Sequence, residues 1–403
     1  MSRYRGLLLS KQVFYKNPLL DRNDLRPYLS DEQFEFRESV HRFLEKNATP
    51  EFLRECDENK IFPHELIKAI SNQGWFAITL PEEFGGIGDY MDMVAMLEII
   101  GYHSASLARY WNINVNMVGG ALVLLANQAT QENLLPLLAE GKVSFAFALS
   151  ENGSGSDAAA LTTSAIPNDE FFIVNGTKMW ISGALTADYI LTACRTEKGQ
   201  GKHEGISLLL IPRDAVGVQV NPINLLGGHM IRTCEINFVD VKVPKINLVG
   251  DLHLGWSQLM TVLSKERIAL AAICTGAAQA AVIQAGQYAA DRNQFGRSLT
   301  AFQAISHKLS DMQTLVDASR MLTYRAARLL DEGIDCVRES SQAKYFAGDA
   351  YMQIATNGIQ IMGANGYSME FPMQRHFREA KLFQIFGGTN EIQRNIVAKN
   401  LFE

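Results

Sequence analysis

Between Ile268 and Ala290 the chain runs for 23 residues without a charge. An ordinary surface helix cannot do this, because a solvated face needs polar residues at helical spacing. Two solutions exist: a membrane span, or a helix covered on all sides by protein. The stretch contains Thr275, Gln279, Gln284 and Gln287, with Gly276 and Gly286, and most of its apolar residues are alanine. That is a poor match to a lipid-facing helix. It suits a core helix whose small residues let neighbours approach closely. The rest of the chain must then supply the elements that cover it.

Those elements are legible as three textures. Ser30-Asp-Glu-Gln33 is a helix N-cap with a Gln three residues on, followed by an apolar stripe of Phe34, Phe36, Val40 and Phe43. Further helices are expected over 63–73, 89–101, 107–125 and 131–140. From Val143 to Val243 the segments become short, β-branched and aromatic, about seven strands in all. Among them Phe171–Val174 and Lys178–Ile181 flank Asn175-Gly176, a hairpin signal. No helical stretch separates these strands, so an antiparallel barrel or sandwich is expected. After Gly255 the pattern is helical again: Phe302, Ile305, Leu309, Met312, Val316, Leu322, Ala326 and Leu329 form one stripe, Gly333 ends that helix, and further helices follow over 341–363 and 394–401. The expected fold class is α+β. An extension over 1–29 leads to a helical domain over 30–141, a β-domain over 142–250 and a helical bundle over 251–403.

Composition narrows the function classes. The net charge of −6 offers no general basic field for nucleic acid or anionic lipid. Five cysteines are widely spaced, with no CxxC or Cys/His cluster, so neither a disulfide framework nor a metal site is expected. Met1 to Lys16 carries Arg3, Arg5, Lys11 and Lys16 and no acid. Its apolar core, Leu7-Leu8-Leu9, is too short for a secretory signal. A cytoplasmic location is expected, with the mitochondrial matrix as the alternative for a eukaryotic source.

Five stretches carry chemistry. Near the C-terminus, Arg378-Glu-Ala-Lys-Leu-Phe-Gln-Ile-Phe-Gly-Gly-Thr-Asn-Glu-Ile-Gln-Arg394 sets Gly387-Gly388 after an apolar run in which Phe383, Ile385 and Phe386 read as buried. Thr389 can cap the helix that follows, and Glu391 suits its positive end. This is either a plain glycine turn between helices or a helix start that holds a polar group. In Phe147-Ala-Leu-Ser-Glu-Asn-Gly-Ser-Gly-Ser-Asp157 a strand enters a loop whose backbone donors can converge on an anion, though most such loops are only turns. Met179-Trp180-Ile181-Ser182 is a strand whose Trp packs a core or a ligand. Asp291-Arg-Asn-Gln-Phe-Gly-Arg297, with Phe302-Gln303, either marks where the buried helix surfaces or offers Arg292 to a pyrophosphate. Between them, Leu263-Ser-Lys-Glu-Arg267 stands just before the uncharged helix, so Glu266 faces either bulk water or a cavity.

These stretches together resemble the acyl-CoA dehydrogenase family of flavoproteins over about residues 30–402. The resemblance implies a C-terminal four-helix bundle, FAD as cofactor, and removal of hydrogens from the α and β carbons of an acyl thioester. By that resemblance Phe147, Ser150, Ser156, Trp180, Ile181, Ser182, Thr389 and Glu391 meet the flavin, with the β hydride passing to ring N5 beside Ser182. Arg292, Gln294, Phe295, Phe302, Gln303, Gln360, Ile361, Gly363 and Ala364 would reach a flavin held by a neighbouring subunit, implying a homo-oligomer, tetramer or dimer. Ser156, Ser264, Arg267, Gly387 and Gly388 would contact substrate. The chain departs from the family pattern at Gly387, where the usual catalytic Glu stands. Glu266 matches the base position of the isovaleryl-CoA and long-chain subgroup, whose C-terminal position is likewise Gly or Ala. The expected substrate is an acyl-CoA or an acyl-carrier-protein thioester, and the expected electron acceptor is an electron-transfer flavoprotein. Rival expectations are an enoyl-thioester reductase of the same fold and, from another class, a non-catalytic flavoprotein or assembly factor.

Overall fold

The computed structural model describes residues 18–199 and 201–402, so the basic segment Met1–Lys16 lies outside the described residues. The N-terminal helices are α1 (Arg22–Leu25), α2 (Asp31–Asn47), α3 (Pro50–Glu58), α4 (His64–Ser71), α5 (Tyr90–His103), α6 (Ala105–Trp111), α7 (Gly120–Leu125) and α8 (Gln128–Ala139). The capping box before α2 forms: the Gln33 backbone N–H donates to the Ser30 hydroxyl and the Ser30 N–H to the Gln33 side chain. The continuous helix expected over 107–125 is instead interrupted by a π-helical segment, Asn112–Gly119, buried throughout. The short helix α3 was not anticipated, although Thr49 caps it and Pro50 opens it.

Strands β1 (Phe145–Ala148), β2 (Ser164–Pro167), β3 (Phe171–Ser182), β4 (Tyr189–Arg195), β5 (Ile206–Pro212), β6 (Val218–Pro222), β7 (Thr233–Pro244) and β8 (Leu248–Val249) form one sheet, ordered β6-β7-β3-β2-β4-β5-β8, with β1 on β4. Two expectations are corrected here. The sheet is mixed, because β1 runs parallel to β4 and β2 meets β4 in parallel at Ser164. Asn175-Gly176 makes no hairpin; it is a bulge within one continuous strand, β3, paired along β7. A Cβ on Gly176 would lie 2.6 Å from Thr163 Oγ1, so the glycine admits a neighbouring strand there. The Asn175 amide is fixed by donating to Asp240 Oδ1, while the Asp240 N–H donates to Asn175 Oδ1.

The remaining elements are α9 (Gly255–Asp291), β9 (Asn293–Gln294), β10 (Arg297–Ser298), α10 (Gln303–Asp331), α11 (Val337–Met362), α12 (Ala364–Tyr367), α13 (Met373–Phe383) and α14 (Asn390–Phe402). Helix α9 contains the uncharged stretch and is long and apolar enough to cross a membrane, yet 89% of its most apolar window is buried within the fold. It packs on α5, α10 and α11. Contact with α5 is close: a Cβ on Gly276 would lie 1.8 Å from the Glu98 carbonyl oxygen, and one on Gly101 2.6 Å from that of Ile273. Beside this seam Glu98 accepts from Arg37, Arg320 and Tyr324, all buried. Burial raises the Glu98 carboxyl, but the two guanidiniums outweigh it and hold the group down at about 2. Ile385, expected to be buried, is 53% exposed. It lies in the turn after α13, which directs Phe383 inward and Ile385 out.

Candidate functional site

Glu266 sits on α9 just before the stretch that is buried all round. Its side chain is 5% exposed, and its carboxylate makes no hydrogen bond or ion pair among the described residues. Burial pushes the carboxyl up to about 7, against the pull of Arg267 and Lys344. Gly387 faces it. The glycine holds φ +63, and a Cβ there would stand 3.3 Å from Glu266 Oε1 and 2.4 Å from Leu270 Cδ1. A side chain at 387 would have to push the Leu270 tip aside, crowd the Glu266 carboxylate and adopt a left-handed backbone.

The turn is pinned from one side only. Gly388 follows at φ +76. The Gly388 carbonyl accepts from Lys344 Nζ at 2.7 Å, and the Gly387 carbonyl from Gln393 Nε2 at 2.9 Å. The N–H groups of Gly387, Gly388 and Thr389 have no acceptor among the described residues. Thr389 caps α14 by accepting from the Ile392 N–H. Asn390 ties the turn to α11, accepting from Lys344 Nζ and donating to Asp349 Oδ1 and the Tyr345 carbonyl. Sequence reasoning missed Lys344, Asp349, Asn390 and Gln393; the available signal was the two charges, Lys344 and Asp349, in the expected helix over 341–363. Ser264 is part-buried and Arg267 buried, the latter with no hydrogen bond among the described residues. Glu391 is exposed on the first turn of α14.

The β-domain contributes a second set. Lys178 and Glu151 form a buried ion pair at 2.9 Å, and Glu151 also accepts from the Thr162 and Thr163 backbone. Burial raises the Glu151 carboxyl, but Lys178 and these donors bring it down to about 2. The pair, unforeseen in the sequence, shapes the loop after Ser150. The Met179 N–H donates to the Ser150 carbonyl, which brings the loop against Trp180. Trp180 is 52% exposed, at φ +67, within a strand irregularity between Lys178 and Ile181. An exposed indole on strained backbone is held there by its surroundings. In the same loop Ser154 Oγ is buried without a partner among the described residues, and Ser156 is exposed. Phe147 is partly buried on β1, and Ser182 shares a hydrogen bond with Thr233. Ile181 is buried in the sheet core, leaving only its backbone to a ligand.

A third set lies elsewhere. Arg292 caps the far end of α9, roughly 40 Å from Glu266 at 1.5 Å per residue. Gln294 and Phe295 form a tight β9–β10 hairpin, with Phe295 at φ +52 and 93% exposed at its tip. Phe302 lies under Arg297, and Gln303 opens α10. Helix α11 runs in the same direction as α9, so Gln360, Gly363 and Ala364 at its end are also remote; Asn365 donates to Tyr288 there. Ile361 is buried. Within one chain, Glu266 and the dinucleotide candidates thus stand at opposite ends of the bundle.

The β-domain set fits a flat, polar-edged cofactor such as a flavin: an exposed indole, a loop whose Ser154 hydroxyl has no partner among the described residues, and open space above Gly153 and Gly155. Comparison with known proteins agrees. Residues 30–142, 146–241 and 253–402 match the N-terminal, middle and C-terminal domains described as those of acyl-CoA dehydrogenase. An acyl-CoA dehydrogenase of Bacillus subtilis (strain 168) is 37% identical over 93% of this chain and 99% of its own. The caffeyl-CoA reductase–Etf complex subunit CarC of Acetobacterium woodii is 32% identical over 93% of this chain and 100% of its own. The structure of butyryl-CoA dehydrogenase from Megasphaera elsdenii superposes with a TM-score of 0.89 at 33% identity, covering 93% of this chain and 99% of that one.

Proposed function

The chain belongs to the acyl-CoA dehydrogenase family of FAD-dependent oxidoreductases, and on that premise we propose that Glu266 is the base that takes the α proton of an acyl-CoA. The observation that carries this is the buried, unpartnered carboxylate standing in front of Gly387. A proton α to a thioester is weakly acidic, so the base must be dry enough to hold a raised affinity for it. Burial gives Glu266 that affinity while leaving it ionised in an appreciable fraction near neutral pH. The thioester oxygen gains negative charge as the proton leaves and needs donors fixed in advance. The unclaimed N–H groups of the 387–389 turn are such donors. Arg267, buried beside Glu266, holds the substrate, with Ser264 at the mouth of the same helix. FAD, when bound, supplies the acceptor for the hydride from the β carbon.

We assign the flavin's near face to Phe147, Ser150, Ser156, Trp180 and Ser182, with backbone from Ile181, and to Thr389 and Glu391. The remote set from Arg292 to Ala364 we assign to the flavin of a neighbouring copy, because it lies too far from Glu266 to serve the same site. That separation supports a homo-oligomer. Electrons pass onward to an electron-transfer flavoprotein, in keeping with the Etf partnership in the name of the Acetobacterium relative. A cytoplasmic location is supported by the bacterial relatives and by five buried, unpaired cysteines.

Glu266→Gln tests the assignment. Turnover of acyl-CoAs is expected to fall at least about 1,000-fold with the flavin still bound. Retained turnover would sink it. An anaerobic visible spectrum with a panel of saturated and α,β-unsaturated acyl-CoAs sets the substrate. Bleaching by a saturated thioester marks the dehydrogenase direction. No bleaching by any saturated one would favour the reductive direction in the name of the Acetobacterium relative, or a carrier-protein substrate.

A further inference from the structure

Lysine is rarely buried without a carboxylate in contact. Lys344, on α11, is 1% exposed and makes no ion pair among the described residues; it donates instead to the Gly388 carbonyl at 2.7 Å and to Asn390 Oδ1 at 3.2 Å. An ammonium can satisfy neutral acceptors at the surface at no desolvation cost. Its burial here calls for a task that needs both the bonds and the charge.

The geometry supplies one. A carbonyl and the N–H of the next residue belong to one rigid peptide plane. Holding the Gly388 carbonyl toward Lys344 therefore fixes the direction of the Thr389 N–H, as Gln393 does for the Gly388 N–H through the Gly387 carbonyl. Two consecutive glycines in the left-handed region are otherwise free to turn over. Asn390, gripped by Lys344 and Asp349 together, anchors the same turn at the start of α14.

Resting on the assignment of Glu266 as base, we propose that Lys344 is a positioning residue for the reaction. Its ammonium clamps the glycine turn so that the turn's free N–H groups face the thioester oxygen, and it keeps a fixed positive charge near Glu266. The charged groups acting on Glu266 are Arg267 on its own helix and Lys344 on α11. Around Lys344 stand Cys274, Glu266 and Arg267 of α9, and Asp349 of α11. Of the other helices on α9, α5 and α10 direct Glu98 and Arg320 at each other, and α13 turns Glu379 to Ser106. Among the described residues, Lys344 is thus the charge outside α9 that favours the ionised form of Glu266, alongside Arg267 and against burial. Burial also lowers its own affinity for a proton to about 8, opposed by Cys274, Glu266 and Asp349.

The test uses the full-length, flavin-loaded enzyme and an acyl-CoA that it turns over, butyryl-CoA being tried first. Lys344→Met removes the charge and both hydrogen bonds at similar volume. The acid limb of kcat/KM is expected to move up by at least about half a pH unit, and kcat at neutral pH to fall at least about fivefold, with flavin absorbance intact. The wild-type profile is expected to bend down near pH 8 as the ammonium loses its proton, a bend absent from the variant. Lys344→Gln decides should the Met variant not fold: it keeps a donor for Gly388 but no charge, so the limb moves and kcat falls less. An unmoved limb in a folded variant overturns the proposal. Failure of the underlying assignment looks different: Glu266→Gln would stay active, whatever Lys344 variants do.

Discussion

A buried carboxyl without a hydrogen-bond partner is a cost to the fold as well as a tool. In the unfolded chain Glu266 titrates near 4.5, in the folded protein near 7. Between those values the native state holds a proton that the unfolded state releases, so stability falls as pH rises, and the loss is complete above the folded value. The shift corresponds to roughly 3 kcal/mol. Glu266→Gln is therefore expected to raise the melting temperature by a few degrees at pH 8 and hardly at all at pH 5. Thermal unfolding at the two pH values checks this, and an equal effect at both would show that burial does not perturb the group. Gly387 belongs to the same account. The sequence showed an absent carboxylate at 387 and a present one at 266, but not that a Cβ at 387 would collide with Leu270. That contact joins residues more than a hundred positions apart, which no local pattern encodes.

At the scale of elements, the charge-free run announced α9, and the helix-spaced stripe announced α10. Both are period signals that survive any tertiary arrangement. What failed to show depended on neighbours. Asn175-Gly176 carries a hairpin signature, yet β7 pairs along the whole of β3 and converts it into a bulge. The break at Asn112–Gly119 is invisible in composition, because a π-segment needs no special residues. Nor does sequence say which small residues are obligatory. Gly276 is: a Cβ there would fall 1.8 Å from a backbone oxygen of α5, and no side-chain rotation can relieve that. Gly276→Ala is expected to force α5 and α9 apart and cost about 3 kcal/mol or more. Gly120→Ala, where nothing stands within 4 Å, should be nearly neutral. Chemical denaturation of the pair checks this; equal midpoints would mean the seam yields.

At the scale of the whole molecule, the proposal that the remote set serves a neighbouring copy gives each chain halves of two different sites, with Glu266 and Arg292 on one helix. The expectation is complementation. A chain bearing Glu266→Gln and a chain bearing Arg292→Glu should each be inactive alone, and co-expressed they should regain activity wherever an intact Glu266 meets an intact Arg292 of its neighbour. Activity assays on purified mixed oligomers check this, and no recovery would mean that each chain builds its site alone. The length of α9 then has a genetic consequence. A lesion at either tip disables one site per altered chain and behaves as a recessive change, diluted by normal copies. A lesion in the middle, such as a larger residue at Gly276, tilts the shaft that serves both, so a single altered chain spoils its own site and its neighbour's. Dominant-negative alleles are expected to cluster in the alanine-rich centre of that helix, away from the chemistry itself.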